Sequence, residues 1–147
     1  MEEPTLDPAN PIVRLCVQGM EAEFRGDFAQ AETLFEQAWR ERSDAFEACI
    51  AAHYVARSQS SPERKFHWDS EALRNADLVA DDRVRSFYPS LYLNLGHSCE
   101  LLDRREEAYA FYVKATEVVS QLPDGAYGDT VRSAIHSGFT RTREVCA

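Results

Sequence analysis

A chain of 147 residues with 44% hydrophobic and 11% aromatic residues is long enough for one domain with a true core, which excludes general disorder. Its net charge of −9, from 25 acidic against 16 basic side chains, argues against nucleic acid as a partner, because a phosphate backbone attracts a basic face. No apolar run approaches the roughly 20 residues that span a bilayer, so no membrane partner is expected.

The acidic, proline-rich start MEEPTLDPANP has neither the basic region nor the apolar stretch of a signal peptide. Cys16, Cys49, Cys99 and Cys146 are widely spaced, as free thiols in a reducing compartment would be. A cytoplasmic protein is therefore expected.

In chain order, residues 1–10 read as a flexible tail. The segments that follow carry apolar residues at spacings of three and four, which predicts helices and no strands. A first helix over 11–25 places Ile12, Leu15, Cys16, Gly19 and Met20 on one face. Gly26–Asp27 breaks it. A second helix over 28–41 buries Ala31, Leu34, Phe35, Ala38 and Trp39. Asp44 with Glu47 three residues later forms a capping box for a third helix that runs to about Ser58. Ser61–Pro62 marks a fourth start, with the cap residue followed by proline at the first helical position, and this helix runs to Val79. Asp81–Asp82 favours a new N-terminus, and Pro89 either kinks the fifth helix or marks its true start. A sixth helix is predicted over 106–121, LPDGAYG as a turn, and a last amphipathic helix over 129–145.

Two stretches repeat one order of residue types. In GMEAEFRGDFAQAETLFEQA (19–38) and GHSCELLDRREEAYAFYVKA (96–115), a glycine is followed by a turn residue seven positions on (Gly26, Asp103). An alanine comes at twelve (Ala31, Ala108), an aromatic at sixteen (Phe35, Tyr112) and an alanine at nineteen (Ala38, Ala115). A degenerate middle copy has His53 at the glycine position. This order resembles the tetratricopeptide repeat. The stretches AAHYVAR (51–57) and FYPSLYLNLGHS (87–98) look similar to small stand-alone actinobacterial proteins of that kind. The resemblance implies an all-α, right-handed superhelix of three hairpins (12–43, 44–79 and 83–122) with a C-terminal capping helix.

In that family one face of each first helix lines a concave groove that binds protein or peptide. The resemblance places Glu47, Tyr54, Arg57, Asn94, His97 and Glu100 on this face as candidate ligand contacts, beside Ser90 and Leu93. Asn94 matches the asparagine with which peptide-binding members hold a ligand's backbone or carboxylate. Only Arg57 offers this face a cation, so a clamp for acidic C-termini is not expected there.

Catalysis is not expected. There is no P-loop, nucleophile elbow, His-Glu-x-x-His or Cys-x-x-Cys. No cofactor is implied. Cys49 and His53, four apart, could share a metal, but no third ligand is evident, so none is assigned. The alternative is a small-molecule binder or enzyme with an enclosed pocket between repeats two and three, suggested by Tyr54, Trp68, Phe87, Tyr88 and Tyr92. Self-association into a homodimer through a terminal helix is the further partner expectation.

Overall fold

A computed structural model describes residues 6–146. Seven α-helices follow one another among these residues, with no strand. They are α1 (Pro11–Phe24), α2 (Phe28–Glu41), α3 (Ala45–Arg57), α4 (Pro62–Val79), α5 (Tyr88–Leu101), α6 (Arg105–Glu117) and α7 (Ala126–Cys146). Two short 3-10 turns, Asp82–Phe87 and Val119–Gln121, precede α5 and follow α6. The chain divides into two compact units, Leu6–Ala80 and a second that begins at Asp81. None of the described helices is long and apolar enough to cross a membrane.

The helix starts are set by local chemistry. Asn10 Oδ1 accepts from the N–H groups of Ile12 and Val13 at 2.8 and 3.0 Å, and Pro11 opens α1. Asp27 caps α2 through the Gln30 N–H at 3.1 Å. Asp44 caps α3 through the Glu47 N–H at 2.8 Å, and Ser61 caps α4 through the Arg64 N–H at 3.2 Å. Pro89 sits in the first turn of α5, so it marks that helix's start and does not kink it.

Two expectations shift. Of the tail, residues 1–5 lie outside the described residues, but Asn10 is tied down: besides capping α1, its Nδ2 donates to Glu47 Oε2 at 3.0 Å. α7 begins three residues before the predicted 129, inside the stretch read as a turn. Gly125 makes the bend at φ 115°. Gly128 then lets the first helical turn press against the preceding loop, because a Cβ there would lie 2.0 Å from the Pro123 carbonyl oxygen.

In the first unit α1 packs on α2, α2 and α1 on α3, and α3 on α4. In the second, α5 packs on α6 and both pack on α7. Each unit is keyed by an aromatic ring seated on a glycine. A Cβ on Gly19 would lie 2.2 Å from Phe35 Cε1, and one on Gly96 would lie 2.8 Å from Tyr112 Cε1. Counted from the helix starts, each glycine is the ninth residue of its helix and each aromatic the eighth of the next. The turn residues agree as well, with Gly26 at φ 82° and Asp103 at φ 59°. Phe35 and Tyr112 are wholly buried, which contributes about 1.5–3 kcal/mol for a ring of this kind.

Candidate functional site

Three of the six predicted contact residues have side chains committed to the fold. Glu47 is buried, and its carboxylate accepts from the Ser43 N–H and Oγ, both at 2.8 Å, and from Asn10. Burial raises its pKa, but these hydrogen bonds outweigh that and hold it below the usual carboxylate value. It closes the start of α3 and ties α1 to it. Tyr54 is 1% exposed and does not face a groove. Its ring stacks on Phe35 at 5.4 Å, and His53 meets it edge-on at 5.0 Å. The cause is the glycine contact: Gly19 lets Phe35 come in close, and the Phe35 ring then takes Tyr54 from α3.

Glu100 is the third. It accepts from the Tyr112 hydroxyl at 2.6 Å and from Arg141 Nε and Nη2 at 3.1 and 2.8 Å. The Arg141 guanidinium, with help from the Tyr112 phenol, holds this carboxylate below its usual range against the opposing effect of burial. The same stripe of α5 is engaged elsewhere. The Ser90 and Tyr127 hydroxyls hydrogen-bond each other, and Leu93 packs on the cluster of Ala115, Leu122, Val131 and Ile135. Part of the predicted groove face of α5 is thus covered by α7.

Arg57, Asn94 and His97 keep more freedom. Arg57 Nη2 pairs with Glu23 at 2.8 Å, linking α3 to α1, while about a third of its side chain stays accessible. Asn94 is partly exposed and His97 exposed on successive turns of α5.

Cys16, Cys49 and Cys99 are buried and in no disulfide. Burial, with Asp77 nearby, pushes Cys49 up to about 12, and burial, with Glu107 nearby, pushes Cys99 up to about 11. Among the described residues no three histidine, cysteine or carboxylate side chains gather as a metal site would need.

The second unit also carries a half-open cleft of about 500 Å³ between the end of α6 and one face of α7. Val119, Ile135 and Phe139 form its apolar surface, and Thr116 and Thr140 add hydroxyls. Arg132 and Arg143 are its charged side chains, His136 adds an imidazole, and no carboxylate lines it. Arg132 is fixed in place. Its Nη1 donates to Asp129 at 3.0 Å, and its Nη2 to the carbonyls of Leu122 and Pro123 at 3.3 and 3.2 Å. The Arg143 guanidinium lies 5.6 Å from the centre of the Phe139 ring, within cation–π range.

No expectation from the sequence falls on this cleft. The signal was present: Arg132, His136, Phe139 and Arg143 recur at four, three and four residues, one helical stripe of basic and aromatic side chains in an acidic chain. Comparison with known proteins gives no match: no protein-family model, no curated protein and no solved structure matches the chain.

Proposed function

We propose that the chain is a helical-repeat scaffold of the tetratricopeptide kind that binds a protein or peptide through accessible side chains of its helical hairpins, without catalysis. The observation that carries this reading is the recurrence of the glycine–aromatic seat, Gly19 with Phe35 and Gly96 with Tyr112, at the same helical positions and with the same left-handed turn residue between them. Repeats of this kind work by displaying surface, since each hairpin spends its apolar face on its neighbours. The buried, weakly acidic thiols of Cys49 and Cys99 agree with it, because little thiolate is present to act as a nucleophile.

Asn94 and His97 are the predicted contacts best placed to meet a ligand on α5. Replacing both by alanine is expected to weaken a captured partner by roughly tenfold or more, about 1.4 kcal/mol, with an unchanged melting temperature. Crosslinking capture followed by titration of wild-type and variant protein tests this. A lower melting temperature with unchanged affinity would overturn it.

A second reading is favoured by one observation. Phe24 and Phe28, flanking the α1–α2 turn, are 95% and 68% exposed. Two such rings at one tip suit self-association. Sedimentation of Phe24→Ser/Phe28→Ser against wild type distinguishes it, a shift toward monomer being the supporting result.

A further inference from the structure

We propose that the cleft between α6 and α7 is a docking site for an acidic peptide segment of a partner protein, one that carries an apolar anchor residue beside its carboxylates. The site does not depend on the α5 residues of the preceding reading. It rests on charge, shape and preorganisation together.

Charge comes first. The chain has 25 acidic side chains against 16 basic, so a surface patch drawn at random would be mostly acidic. This lining has two arginines and a histidine, and although Asp129, outside the lining, pairs with Arg132 at 3.0 Å, Arg143 carries a positive charge with no such pair among the described residues. A cationic recess in an anionic molecule is a local exception that attracts carboxylates while the remaining surface repels them. Nucleic acid, also anionic, would meet that repulsion over a far larger area, so a short acidic segment suits the patch better.

Shape comes next. Val119, Ile135 and Phe139 give the cleft an apolar floor, and its volume of about 500 Å³ accepts a large apolar side chain. Thr116 and Thr140 offer hydroxyls that can donate to a peptide carbonyl or carboxylate. The half-open form leaves room for a chain to enter and leave.

Preorganisation completes the case. Arg132 is held by three hydrogen bonds, two of them to loop carbonyls that Gly128 allows to approach α7. Its position needs no ordering when a ligand arrives. Arg143 is exposed, rests against Phe139 and has no carboxylate partner among the described residues. It is thus available to an incoming carboxylate, and His136, also exposed, can donate a hydrogen bond from the same stripe.

The test uses two fluorescein-labelled peptides, one with glutamates flanking a central leucine and its glutamine counterpart, titrated into the full chain at low salt. The glutamate peptide is expected to bind at least tenfold more tightly, to weaken as salt rises, and to lose about tenfold or more in His136→Gln/Arg143→Gln. Both substituted side chains are exposed, and unchanged circular dichroism and melting temperature verify the fold. Equal binding of the two peptides, no binding, or binding that survives the double substitution overturns the proposal. So does binding of inorganic phosphate alone, or a loss of self-association in the variant without any peptide binding, which would assign the cleft to a second copy. If instead Asn94→Ala/His97→Ala abolishes glutamate-peptide binding and the cleft variant does not, the α5 reading stands and this one falls.

Discussion

The phenol of Tyr112 donates to the carboxylate of Glu100 at 2.6 Å while its ring meets two glycines, Gly96 of α5 and Gly138 of α7. A Cβ on Gly138 would stand 2.3 Å from Tyr112 Cζ. One side chain therefore keys three helices, by shape at two glycines and by a hydrogen bond at its tip. Tyr112→Phe keeps the shape and removes the bond. Glu100 retains Arg141 and so is not left unpaired. The expected cost is about 1 kcal/mol, read as a shift in the urea midpoint with an unchanged slope. A loss above about 3 kcal/mol would mean that the hydroxyl does more than this bond.

Gly19 gives a prediction whose sign separates two principles. Alanine is favoured over glycine in a helix interior by up to about 1 kcal/mol, so propensity alone makes Gly19→Ala stabilising. Packing says the reverse, because the new methyl would meet Phe35 at 2.2 Å and Phe35, wholly buried, also stacks on Tyr54. The expected net effect is a destabilisation of about 1–3 kcal/mol. Phe35→Leu should recover part of it when combined with Gly19→Ala. Thermal or urea unfolding of the three variants decides the matter, and a stabilised Gly19→Ala would show that the helices separate freely.

These contacts also show what was legible beforehand. Helix starts were, because Asp44 with Glu47 and Ser61 with Pro62 carry their capping chemistry within four residues of chain. The glycine–aromatic order was legible too, since it repeats. Tyr54 was misplaced because helical spacing gives a face but not what covers it, and its cover, Phe35, comes from another helix. The pairing of Glu100 is hidden for the same reason, its partner Arg141 lying 41 residues further on. The start of α7 was hidden by composition: GAYG reads as turn, whereas Gly128 serves a close approach to Pro123.

Acid should weaken the second unit through Glu100. Its carboxylate is held below the ordinary value of 4.5, chiefly by Arg141. A group depressed in the folded state adds stability that is present above its unfolded value and is lost as pH falls through the folded one. Wild type should therefore lose stability relative to Glu100→Gln as pH drops below about 4.5. At neutral pH the variant should be the weaker, having lost its charged pair with Arg141. Urea midpoints for both proteins across this range test the claim, and parallel curves would sink it.

The buried thiols should ignore aromatic disulfide reagents. Cys49 and Cys99 are raised to about 12 and about 11, chiefly by burial, and Cys16 is 0% exposed. Thiolate is the attacking species, so modification must wait for opening of the fold. In a Cys146→Ser variant no thiol should react quickly with Ellman's reagent under native conditions, and all three should react in denaturant. A fast-reacting thiol in the native protein would mean that one of these helices opens readily.

The middle hairpin breaks the glycine–aromatic rule in a paired way. The ninth residue of α3 is His53 and the eighth of α4 is Asp69, where the other two hairpins have glycine and an aromatic ring. Asp69 is 4% exposed, and neither side chain stands without a partner. By register, the histidine and aspartate together occupy the place of the glycine seat and its ring. Either change alone should then be damaging. His53→Gly would empty the place that the imidazole fills, and Asp69→Phe would force a larger ring into a buried position, each costing about 2–3 kcal/mol or more. The double variant His53→Gly/Asp69→Phe rebuilds the seat found at Gly19 and Gly96 and should recover most of the loss, since the new ring would fill the space that the imidazole leaves. A double-mutant cycle by urea unfolding measures the coupling, expected above about 1 kcal/mol in the favourable direction. Simple additivity of the two single losses would show that the two positions do not face each other and that the middle hairpin packs on a different register from its neighbours.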